Sequence, residues 1–134
     1  MALFGVLALM GARPTPAHHS FVMFDLSRQS QVSGTVRNLE WANPHVWLWL
    51  IAPNENSEAM TFAFQGTSIN EMSRRSGWTK NIVTVGEKVT VKYRPFKDGR
   101  NGGRIITVTL GNGRVLDADG GYHPPPDLEP APAK

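Results

Sequence analysis

The sequence predicts a mainly β fold, a small five- to six-stranded, partly open barrel with one short helix between its third and fourth strands. Three observations carry this expectation. Apolar and polar residues alternate with period two through most of residues 31–110, as half-buried strands require. One segment, Ser68–Gly77, switches to helical spacing and is punctuated at both ends. Turn-forming residues separate the runs, drawn from 13 Gly and 10 Pro in 134 residues.

The first strand, from Gln31 to Trp41, alternates imperfectly around Gly34, a position suited to a bend or bulge. Val46-Trp47-Leu48-Trp49-Leu50-Ile51 is apolar on both faces, so the second strand is either covered on both sides or exposed for binding. A turn at Pro53–Ser57 leads to a third strand, Ala59–Gln65. Ser68 then reads as a helix N-cap with Glu71 three residues on, Arg74 and Arg75 in the last turn, and Gly77 as the stop. Lys88–Arg94 is a clean half-buried strand, Lys97–Gly103 a hairpin loop, and Arg104–Leu110 its return. Val115-Leu116 adds a short last strand. Three strands, a helix and two strands is the order of an oligonucleotide/oligosaccharide-binding (OB-like) barrel, whose long first strand serves both halves.

The ends have a different composition. Ala2–Ala12 is an apolar run of 11 residues, followed by Arg13-Pro14-Thr15-Pro16-Ala17 with a small-x-small ending. This reads as a signal peptide over 1–17, a single barrel domain over 18–117, and a Pro-rich tail over 118–134. Export places the mature chain in the periplasm or outside the cell. With the leader removed, no membrane span is expected.

Charge and chemistry narrow the function. The chain has no Cys, which excludes disulfides and thiolate metal sites. No nucleophile elbow, phosphate loop or closely spaced carboxylate pair is present, so a non-enzymatic binding protein is expected. From Arg74 to Arg114 ten Lys/Arg face two acids. Alternating Lys on an edge hairpin would protect it from aggregation. The same basic hairpin (Lys92, Arg94, Arg100, Arg104), with Trp41, Trp47 and Trp49, is the candidate surface for a protein partner or a polyanion. Nucleic acid is excluded if the chain is exported.

The histidines suggest a metal. An N-terminal His18 offers its α-amino group and a ring nitrogen to one ion, and a second imidazole completes the nitrogen-rich geometry that copper(II) favours. His45 is the expected second ligand, His19 a competitor, and Asp25 a weaker oxygen donor. The cofactor expectation is therefore copper(II) at His18, His45 and His19.

His18-His19-Ser20-Phe21, Phe24-Asp25, Val32-Ser33-Gly34-Thr35-Val36 and Glu40-Trp41-Ala42-Asn43-Pro44-His45 together resemble a family of short exported bacterial proteins of unknown function. The likeness continues through Ser76-Gly77-Trp78 and Val85–Val91, and so covers about residues 17–117. It implies export and one compact β domain, with no activity, ligand or catalytic residue attached.

Overall fold

A computed structural model describes residues 21–119. The expected signal peptide, His18, His19 and the tail from residue 120 onward lie outside the described residues. The elements follow in the expected order: β1 (Ser30–Glu40), β2 (Trp47–Pro53), β3 (Ala59–Gln65), α1 (Ile69–Ser76), β4 (Lys88–Pro95), β5 (Gly102–Thr109) and β6 (Val115–Asp117).

β1 is shared between two neighbours. Its first half, Ser30–Thr35, runs antiparallel to β4, and its second half, Thr35–Glu40, antiparallel to β2. Gly34 sits at the changeover, where a Cβ would stand 2.6 Å from the Ile51 carbonyl oxygen and 2.7 Å from the Ala52 Cβ. Close backbone approach, rather than a bulge, is what this glycine permits. The register irregularity falls three residues later, between Val36 and Asn38.

Parallel pairing of Ala63, Phe64 and Gln65 with Gly102, Gly103 and Arg104 closes five strands into a barrel. Both glycines are needed at that seam, since a Cβ on Gly102 would collide with the Ala63 backbone and one on Gly103 with that of Arg94. A row of neighbours runs from Glu40 through Trp47, Gln65 and Arg104 to Arg94, and the adjoining Tyr93 pairs with Ser30. One circuit thus travels from the end of β1 back to its start, which is the stagger that barrel closure demands. β6 adds a sixth strand along β5, over Thr107–Thr109.

The inward row is apolar and buried, including Val36, Leu48, Leu50, Phe64, Val91, Ile105 and Val108. α1 bridges the end of β3 and the start of β4, and plugs that end of the barrel. Its N-cap Ser68 accepts from the Glu71 amide at 3.3 Å, and Gly77 ends it in the left-handed conformation. Met72 and Trp78 are fully buried, and the Trp78 indole donates to the Asp117 carbonyl at 2.6 Å. Ala118 and Asp119 are buried as well, so packing continues two residues past the expected domain end.

One expectation about the hairpin fails. β4 lies between β1 and β5, so the exposed Lys88 and Lys92 do not guard a sheet edge.

Candidate functional site

The β1–β2 corner, Trp41–Val46, stands where β3 and β5 meet. Val46 anchors it by exchanging backbone hydrogen bonds with Thr67 and Gly66 at 2.8 Å. Asn43, in a cis peptide bond with Pro44, accepts from the Ile69 amide at 3.1 Å, which joins the corner to the first turn of α1. Trp41 is half-buried and packs against the core. His45, next to Val46, is half-buried too. Burial lowers its pKa from the usual 6.5, and the Arg104 guanidinium lowers it further. At neutral pH the imidazole is therefore uncharged, with a nitrogen lone pair free to bind hydrogen or metal.

Arg104 is the centre of this region. It lies directly across the strand pair from Arg94, and both side chains are buried, at 4% and 3% exposed. Asp119 holds the two together: its carboxylate accepts from Arg94 Nη1 at 2.8 Å and from Arg104 Nε at 3.2 Å. Buried charges persist only when paired in this way. Arg94 and Arg104 are thus struts of the barrel seam and do not belong to an exposed partner surface. Lys92 and Arg100, by contrast, are exposed. Phe21 completes the group, its ring centroid 4.5 Å from the Arg104 guanidinium carbon in a cation–π contact. Gln65 lies between Trp47 and Arg104 in the same row, is buried, and its side-chain carbonyl accepts no hydrogen bond among the described residues.

Trp47 and Trp49 point outward from β2 while Leu48 and Leu50 point in. Their rings stack with centroids 6.0 Å apart and planes 30° apart. Ile51, 39% exposed, continues the stripe. The apolar character of both faces of β2 thus has two sources, a core face and a half-buried aromatic outer face.

Among the described residues, no three His, Cys, Asp or Glu side chains come together as a metal-binding group. Asp25 is engaged elsewhere: its carboxylate accepts from Ser27 Oγ at 2.6 Å, which lowers its pKa, and it faces Arg28 and Lys97. Asp119 and Gln65 escape a reading of local motifs because each acquires its role from a distant strand. Phe21 carried a signal, as the last residue of the His-His-Ser-Phe motif, but no local rule links it to Arg104.

The fold and the corner define a small closed OB-like barrel with a stacked Trp pair outside and a buried Arg–Asp–Arg seam. The chain belongs to the family of unknown function DUF6152, whose sequence pattern matches residues 7–105. Neither a curated protein nor a solved structure matches it. No helix among the described residues is long and apolar enough to cross a membrane.

Proposed function

We propose that this is an exported, non-enzymatic binding protein that takes copper(II) at its mature N-terminus. His18 is the bidentate ligand through its α-amino group and imidazole, His45 supplies a third nitrogen, and His19 competes for the ion. Cleavage after Ala17 creates the required free amine.

The observation that supports this reading is the contact of Phe21 with Arg104, the same residue whose charge is felt by His45. Phe21, the last residue of the His-His-Ser-Phe motif, thus packs on the residue whose charge acts on His45 of the Trp-x-Asn-Pro-His corner. His18 lies three positions before Phe21, a reach of about 10 Å in extended chain. Uncharged His45 is in the form that binds metal, and Asp119 offsets part of the guanidinium charge nearby.

The test compares correctly processed protein, its N-terminus established by mass, with protein carrying one extra N-terminal Met. The processed form gives an axial copper(II) paramagnetic resonance signal with nitrogen hyperfine structure, which the extended form loses. Equal binding by both forms refutes the chelate.

The stacked Trp47/Trp49 pair favours a second reading, an accessory module that holds a protein partner or polyanion through this face with Lys92 and Arg100. Such binding persists in a chelator, weakens with salt, and is lost on Trp47→Ala/Trp49→Ala in a pull-down.

A further inference from the structure

At the end opposite α1, the start of β1, the β2–β3 turn and the β4–β5 loop surround an open mouth of about 650 Å³. The outer wall of the barrel carries a more specific feature, a strip that starts where the described chain ends. β4 occupies one edge of β5 from Gly103 to Thr109, so β3 and β6 share the other edge. β3 lies beside Gly102–Arg104 and β6 beside Thr107–Thr109. Running antiparallel to β5, β6 delivers the chain to the end of β3, at Gln65. Asp119 is held there by Arg94 and Arg104, and residues 120–134 continue from that point.

Three features follow one another along the strip. Gln65 shares the outward row with Arg104 and Trp47, yet it is 4% exposed and its side-chain carbonyl has no donor among the described residues. Trp47 and Trp49 come next, stacked on each other, and their indole N–H groups have no acceptor among the described residues. Arg37 is third. It is the extra residue at the β1 irregularity, and its Nη1 reaches across β2 to donate to Thr61 Oγ1 at 3.2 Å. Among the described residues no carboxylate pairs with it.

The sequence of the tail offers complements in the same order. Gly120 and Gly121 carry backbone N–H groups suited to the Gln65 carbonyl. Pro124-Pro125-Pro126 presets a polyproline helix, which presents pyrrolidine rings to aromatic faces and carbonyls to indole N–H groups. Asp127 and Glu129 follow, opposite in charge to Arg37. The lengths agree as well. Trp47 stands two strands from Arg104, about 10 Å. The five steps from Asp119 to Pro124 cover about 15 Å at the polyproline rise. From Trp47 to Ile51 is about 13 Å of strand, and Asp127 and Glu129 lie about 9 Å and about 15 Å beyond Pro124 in polyproline form.

We infer that residues 120–129 fold back along β2 of their own chain, with Pro124–Pro126 seated on Trp47 and Trp49 and the two acids against Arg37. The tail thereby covers the aromatic face, and a protein partner that uses this face must displace it. The contact is independent of the copper chelate.

The test is NMR of the full chain beside a synthetic peptide of residues 120–134. Seated on indole rings, the side-chain protons of Pro124–Pro126 are shifted upfield in the full chain relative to the peptide. Trp47→Ala/Trp49→Ala returns them to the peptide values. The reciprocal variant, Pro124→Ser/Pro125→Ser/Pro126→Ser, leaves the barrel residues intact. It moves the indole N–H resonances of Trp47 and Trp49, while the amides of Ser33 and Thr90 in β1 and β4 stay in place. The inference is overturned if the proline protons of the full chain match the peptide, or if the tail variant leaves both indoles unmoved. It is equally overturned if dilution abolishes the upfield shift, which would place the contact between two copies.

Discussion

The plugged end and the open mouth are built on the same five strands, and their connections make them different. Residues 66–87 between β3 and β4 are long enough to form α1, which lays Met72 over Gly66 and seats Trp78 against β6. The β2–β3 and β4–β5 connections are short turns, and the one apolar side chain in them, Phe96, packs on Phe24. Asn54 spends its carboxamide oxygen on the amides of Asn56 and Glu58, and Asp98 bonds the amide and side chain of Arg100. A connection that buries apolar surface closes the barrel, and one occupied with its own polar turn leaves a rim. Stability should therefore reside at the α1 end and the seam, and tolerance to change at the mouth.

The sharpest test of that contrast is Asp119→Ala. It leaves two buried guanidinium groups facing each other without their shared carboxylate, and should cost about 3–5 kcal/mol in urea unfolding. Met72→Ala at the plugged end follows, at about 2–5 kcal/mol for a methionine removed from a filled core. Ser68→Ala removes the α1 cap and should cost about 1 kcal/mol by the same measurement.

A smaller effect concerns pH. The His45 pKa is depressed in the folded chain, so its contribution is intact above the unfolded value of about 6.5 and is lost as pH falls through the folded value. Thermal melts of metal-free protein should show stability declining below about pH 6.5, and His45→Gln should flatten that decline. Smallest of all, Gln31→Ala/Asn101→Ala at the mouth should change stability by about 0.5 kcal/mol or less. A large loss there would break the contrast between the two ends.

The parts of the molecule that were legible are those settled within a few residues. Ser68, Glu71 and Gly77 mark the helix because capping is local, and the structure places α1 between them at Ile69–Ser76. The Lys88–Arg94 alternation marks β4 because a strand with one buried face writes its period directly into the chain. Arg94 and Arg104 were misleading for the opposite reason. Their residue type suggests an exposed basic surface, yet they are buried because Asp119 returns beside them after β6. The same limit applies to the candidate site. His45 stands out in its Pro-fixed corner, whereas the burial that chiefly lowers its pKa, and the Arg104 charge that adds to it from a strand 59 positions away, are set by the tertiary fold.

The amino-acid order thus determined the number, kind and succession of the elements, since periodicity, capping and turn chemistry act between near neighbours. Only the closed barrel decided which polar groups are buried together and which end stays open. Those outcomes depend on the stagger of β1 and on the Gly102–Gly103 seam, which bring into contact residues that no local pattern connects.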